Sequence, residues 1–525
     1  MVALTLAIAS AGCGSGKGQN VSKSEIGSSK PYAELHWGVT NFAGPIDLLQ
    51  TIEPSMASAE ELAVLNLMEY EQSGKVKLGV ASSVEQPNST TYVYQLKPEK
   101  FSNGKPLTAA DVVFSLKRNL GPVWTKGYWE DVASITARGD STVVIKLKRP
   151  SAIWEYVLAA TGQVLEEAQV ERVGKALGTP GNLPIGTGPW KLDSYQPESS
   201  IQLSRNPYWT GSPARAAKVT VSLFKTEASM GLALRSGAID GMFAYSPKIF
   251  AGIPGIRQLR APGDFVTYAA MNTSRPPFND IHVRRAVAYA ADVNGMISSD
   301  YPASSAIASA SIVPVSLFAG LGSTSQVSAM LGALPKYHFD LAAAKRELAK
   351  SAYPHGFTMK IQVPALYSID VSDAEILISD LAKIGVKAKL QEIQPDEESR
   401  LGSESSKLVT MEVSQTGSVY EDPEGIFASL LPASQIGPPG SGLNIAAYRN
   451  AEVEKLEAEE LEILNSSKRL QLIGKMLEAV GAELPYVPLY VADGLGAVSD
   501  KYVYPTFGVL ESILTPWALD VKLAS

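Results

Sequence analysis

Between Met359 and Leu390 the apolar pattern changes its period twice. Met359, Ile361 and Val363 alternate as one face of a strand. Leu377, Leu381 and Ile384 then fall on a helical stripe, and Gly385 suits the position just past a helix. Val386, Ala388 and Leu390 alternate again. A strand, a helix and a second strand with tight joints predict a right-handed parallel crossover.

Shorter patterns flank this unit. Tyr92, Tyr94 and Leu96 alternate, the turn-rich run Phe101-Ser-Asn-Gly-Lys-Pro-Leu107 follows, and Thr108-Ala-Ala-Asp111 reads as a capping box. The helix it opens should present Val113, Leu116 and Leu120 on one stripe. Val143, Ile145 and Leu147 predict a strand that ends before Pro150. Isolated helices are expected where Val283, Ala286, Val287 and Ala290, and Leu470, Ile473, Leu477 and Val480, recur at helical spacing. Strands and helices are mixed throughout, which makes this an α/β or α+β protein with several lobes.

At about 150 residues per domain, 525 residues correspond to three or four domains or one large multi-lobed fold. With 45% apolar residues the chain can support a packed core. Its single cysteine excludes an intramolecular disulfide and any cysteine-based zinc or iron–sulfur site. His36, His282, His338 and His355 are scattered without ligand spacing, so neither metal nor cofactor is expected. A net charge of −7 and a pI near 5.4 argue against nucleic acid as a partner.

The cysteine, Cys13, ends an apolar, uncharged run that is too short to span a bilayer but fits the core of a secretion signal. Ser10-Ala-Gly-Cys13 resembles a bacterial lipobox, in which the cysteine is lipidated and becomes the mature N-terminus. Residues 1–13 are then a signal peptide, and the Gly/Ser/Lys-rich stretch 14–30 a flexible tether. The same stretch nearly mimics a phosphate loop. Ala11 stands where that loop needs Gly, and Gly18 where it needs Ser or Thr, so a nucleoside triphosphatase is rejected.

Five longer runs carry a family likeness. They are Phe101-Ser-Asn-Gly-Lys-Pro-Leu-Thr-Ala-Ala-Asp-Val-Val-Phe114; Gly186-Thr-Gly-Pro-Trp-Lys-Leu192 with Arg205-Asn-Pro-Tyr-Trp209; Gly237-Ala-Ile-Asp240; Met271-Asn-Thr-Ser-Arg-Pro-Pro-Phe-Asn-Asp-Ile-His-Val-Arg284; and Leu484-Pro-Tyr-Val-Pro-Leu-Tyr490. In this order they resemble the extracellular solute-binding proteins, family 5, of peptide- and nickel-type ABC importers. The resemblance implies a type II, Venus-flytrap periplasmic-binding-protein fold with an extra domain inserted in the first lobe. Lobe I would comprise 31–50, 176–266 and 490–525, the inserted domain 51–175, and lobe II 267–489. It also implies capture of a peptide or peptide-like solute between the lobes and delivery to ABC permease subunits. The protein would be a monomer held on the outer face of the cell membrane by its lipid.

Peptide-binding members of the family carry a W-x-x-D-Y-x-x-P run whose Asp pairs with the peptide ammonium. Aligned by its Tyr and Pro, the run here is Thr416-Gly-Ser-Val419-Tyr420-Glu-Asp-Pro423, with Thr for Trp and Val for Asp. Without another acid a buried ammonium would go unpaired, at a cost of several kcal/mol. Glu421 and Asp422 are the nearest substitutes in sequence. After Gly237-Ala-Ile-Asp240, the family's polar ligand-contacting run is replaced by Phe243-Ala244-Tyr245. The ligand site implied by the resemblance therefore comprises Phe243, Ala244, Tyr245, Thr416, Gly417, Val419, Tyr420, Asp422 and Tyr490. The departures also admit a modified peptide, a siderophore-like compound, an oligosaccharide, or a sensor that has lost transport. One enzyme signature arises, the Ser-x-x-Lys spacing of Ser222 and Lys225. It lies where Val219, Val221 and Leu223 alternate as a strand, whereas an acyl-enzyme serine of that kind opens a helix.

Overall fold

A computed structural model of the chain describes residues 27–40, 44–50, 54–71, 74–121, 123–244, 246–301, 305–364, 368–393, 410–418, 420–436, 444–508 and 514–525. Cys13, Tyr245, Val419 and most of the expected tether lie outside the described residues.

The parallel crossover forms as its periodicity predicts. Strand Thr358–Pro364 runs parallel to Lys387–Ile393, in register from Thr358 against Lys387 to Pro364 against Ile393, and helix Ser368–Ala382 joins them. Met359, Ile361 and Val363 are buried with Leu377, Leu381, Ile384 and Val386 in one core. The reversal after the helix uses Gly385 at φ +89°, a conformation open to glycine at little cost.

These two strands are one end of a mixed sheet. Its order is Lys387–Ile393, Thr358–Pro364, Met411–Gly417, Ile256–Met271, Tyr486–Ser499, Gly241–Ala244, Tyr32–Thr40, Ala216–Phe224, Ser200–Arg205 and Trp190–Gln196, with the short Ala306–Ala308 beside Tyr486–Ser499. The two longest strands, Ile256–Met271 and Tyr486–Ser499, pair antiparallel and carry the chain between the two halves. Apolar residues of each half pack in separate clusters on either side of this pair. The result is a two-lobed α/β protein.

A separate four-stranded sheet, in the order Ala81–Asn88, Thr91–Leu96, Thr142–Leu147 and Val132–Ala137, has its own core of Tyr92, Tyr94, Val143 and Ile145. Helix Ala109–Arg118 packs on it and opens with the expected capping box: the Thr108 hydroxyl accepts from the Asp111 amide, and Asp111 accepts from the Thr108 amide at 3.0 Å. The expected stripe needs correction. Val112 and Leu116 are buried, whereas Leu120 is 46% exposed. Asp111 also accepts from the Glu167 amide at 3.1 Å, and the Ser115 hydroxyl accepts from the Leu165 amide at 3.0 Å. The helix ends at Arg118, so Leu120 falls past its last turn, while Val113 still packs against the core.

Candidate functional site: the interlobe cleft

In the first half, Tyr32–Thr40, Ala216–Phe224 and Gly241–Ala244 run in one direction, the first pairing parallel with both others. In the second half, Thr358–Pro364 pairs parallel with Lys387–Ile393 and with Met411–Gly417. The register on the crossing strands shows where these sets end. Ala244 lies against Leu495, while Gly417 lies against Phe265, which lies against Ala492. The carboxyl ends of both sets thus meet at the middle of the crossing pair. Crevices outside such ends are where α/β proteins bind ligands, because helix N-termini and loops open there.

The crossing pair is irregular at that point. Its register shifts between Ala261 and Phe265. Gly263 lies so close to the opposite strand that a Cβ on it would sit 1.7 Å from the Ala492 carbonyl oxygen. The Arg260 guanidinium donates through Nε to Asp493 at 3.0 Å, tying the two strands beside the irregularity.

On the first-lobe side the wall is aromatic. The half-buried Phe243 ring packs at 5.0 Å from Trp37 and 5.2 Å from Trp517, and stacks at 6.2 Å on Phe507. Trp37 and Trp517 are fully buried and fix the platform from behind. Behind the second-lobe strand ends lies a buried acidic cluster. Asp300, Asp370 and Asp373 are buried near Tyr301 and Tyr490. The Tyr490 hydroxyl donates to Asp373 at 2.5 Å, and the Ser372 hydroxyl donates to Asp300 at 2.9 Å. Burial, reinforced by the charge of Asp300, pushes Asp373 up to about 7, although the Tyr490 bond and Lys248 oppose the shift.

The sequence-expected residues therefore divide. Phe243, Ala244, Thr416 and Gly417 come from different lobes and are brought to the same level of the crossing pair. Tyr490 stands on that pair but is fully buried, its hydroxyl held by Asp373. Tyr420 is buried too, edge-on to Tyr128 at 5.5 Å, in the core under the four-stranded sheet. Asp422 is corrected as a substitute acid: both its oxygens accept from Arg469, at 2.5 and 2.7 Å, and the pair is shut away from solvent. Arg469 also holds Glu460, so its charge is shared within the fold. Ser222 sits on a strand opposite Gly38 and Ser200, and Lys225 is exposed on Glu198 at 3.1 Å.

Sequence reasoning missed Asp300, Asp370, Asp373 and Lys248. One signal was available. Asp370, Asp373, Ala374, Leu377 and Leu381 share a helical stripe, so two acids occupy positions that should be apolar.

A two-lobed fold whose parallel strands from both sides end at a shared crossing defines the class of clamp-like solute-binding proteins. Residues 75–438 match the family model for bacterial extracellular solute-binding proteins, family 5, and the chain belongs to that family. It is 25% identical to heme-binding protein A of Haemophilus influenzae over 495 residues, 87% of each chain. It is 24% identical to the glutathione-binding protein GsiB of Escherichia coli K12, covering 85% of this chain and 86% of that one. Among solved structures, DppA of Helicobacter pylori in complex with the peptide STSA aligns with TM-score 0.80 and 20% identity over 94% of this chain and 99% of that one. AppA of Bacillus subtilis in complex with a nonapeptide aligns with TM-score 0.75 and 19% identity over 94% and 100%.

Proposed function

We propose that the protein captures a peptide or peptide-like solute in the interlobe cleft and delivers it to the permease subunits of an ABC importer. The observation that carries this reading is the meeting of parallel-strand ends from both lobes at one level of the crossing pair. Lobes hinged by two strands can close on a solute, and the solute's contacts to both sides favour the closed state. Lobe I then comprises 31–50, 176–266 and 490–525 with 51–175 inserted, and lobe II comprises 267–489. Phe243, Ala244, Tyr245, Thr416, Gly417 and Val419 contact the solute, which stacks on the aromatic wall. Capture breaks no bond, so the protein acts as a receptor and not as an enzyme.

With Val at 419 and Asp422 committed to Arg469, a free peptide N-terminus lacks its family counter-ion. This favours a modified or N-terminally blocked peptide over an ordinary one. The test is to denature the purified protein and identify what it releases by mass spectrometry. A peptide-like compound without a free α-ammonium is expected; a lone sugar or metal ion would overturn the assignment.

The protein works as a monomer outside the cell, anchored through lipid on Cys13. Among the described residues no helix is long and apolar enough to cross a membrane. Cys13→Ala should release the protein into the medium with solute binding intact; retention on the membrane would refute the anchor.

A further inference from the structure

Among the described residues, an ion pair joins the first-lobe strand ends directly to the second lobe. Lys248 belongs to the turn Pro247–Phe250, which follows the first-lobe strand Gly241–Ala244. Asp300 ends helix Val293–Asp300, which packs into the second-lobe core through Met296. The Lys248 ammonium stands 2.5 Å from Asp300. The partners differ sharply in setting: the Lys248 side chain is 59% exposed, that of Asp300 only 3%.

This asymmetry suits an element that acts only when the lobes are together. A carboxylate taken out of water needs a cation or several donors, and Asp300 has the Ser372 hydroxyl and Lys248. The cation comes from the opposite lobe. Lys248 is largely exposed even with the pair made, so the first lobe does not need it for its own fold, whereas Asp300 keeps only the Ser372 hydroxyl when Lys248 moves away. At the other side of the molecule Tyr128 meets Tyr420, and the Ala152 amide donates to the Leu461 carbonyl at 2.7 Å. Those contacts, with a half-exposed ion pair of Arg149 and Glu462 at 3.7 Å, join the inserted segment to the second lobe away from the strand ends.

We infer that Lys248 is a positioning residue for closure, a latch that seats on Asp300 and holds the lobes together over the cleft. The inference rests on the clamp reading above and adds to it the residue that fastens the clamp. Lys248 needs no contact with the solute for this role; it holds the second-lobe wall in place.

The test compares full-length wild type with Lys248→Ala, Lys248→Arg and Asp300→Asn by small-angle X-ray scattering and amide hydrogen exchange. Lys248→Ala should enlarge the radius of gyration and speed exchange in Gly241–Ala244 and Met411–Gly417 about tenfold, the worth of one charge-assisted bond. Asp300→Asn should do the same, and Lys248→Arg should restore the wild-type values, which a generic packing role for the lysine would not do. Wild-type scattering and exchange in both Lys248→Ala and Asp300→Asn would overturn the latch. If solute is still released from those variants on denaturation, the clamp reading survives that loss. Equal opening by Lys248→Arg and Lys248→Ala would also overturn it, since any cation of suitable reach should hold the carboxylate.

Discussion

Asp422 shows how an acid near a ligand-binding run can belong to the fold. Its carboxylate takes two bonds from Arg469, and Glu460 takes a third, all away from solvent. Asp422→Asn weakens two buried charge-assisted bonds and leaves Arg469 only Glu460 as a counter-ion. Asp422→Asn should therefore cost about 3 kcal/mol of stability in urea unfolding, and any solute affinity lost should follow the loss of fold. Full stability with abolished binding would restore Asp422 to the ligand site. Sequence alone could not decide this, because Arg469 lies 47 positions away and shares no periodicity with Asp422. Lys248 and Asp300, 52 apart, were hidden for the same reason. By contrast, the pairing of Thr108 with Asp111 was legible, since a capping box is complete within four residues.

The elements followed local pattern where the pattern was local. The crossover at Thr358–Ile393 and the helices Ile281–Ala290 and Ser466–Glu483 bury the apolar residues that their spacing singled out. What periodicity could not reveal was register between distant strands, and the candidate site depends on that register. The irregularity opposite Ala492 lies where the two halves join. Gly263 is there for want of space, since a Cβ would collide with the Ala492 carbonyl. Gly263→Ala should force the crossing strands apart and cost about 2 kcal/mol, read as a lower melting temperature. Unchanged melting would mean that the strands at the crossing yield more easily than their packing implies. Helix Ala109–Arg118 teaches the complementary lesson: Val113 and Leu116 pack on the core as their spacing predicts, and Leu120 does not because the helix ends at Arg118.

At the scale of the molecule, several acids are buried in each lobe. Burial lifts Glu60, Glu69 and Glu457 to about 8 and Asp373 to about 7. In the unfolded chain such groups titrate near 4. The fold therefore binds protons that the unfolded chain has released, and this contribution is lost as pH rises through the folded values. Between pH 6 and 8.5, where exposed carboxylates are already ionised, the urea midpoint should fall; a flat or rising midpoint would contradict the burial of these acids as neutral groups. The clamp reading itself is tested most directly by hydrogen exchange with and without the solute recovered from the protein. Binding should protect Gly241–Ala244 and Met411–Gly417 together, one from each lobe, along with the crossing strands around Phe265 and Ala492. Protection confined to one lobe, or absent from the strand ends, would contradict the account.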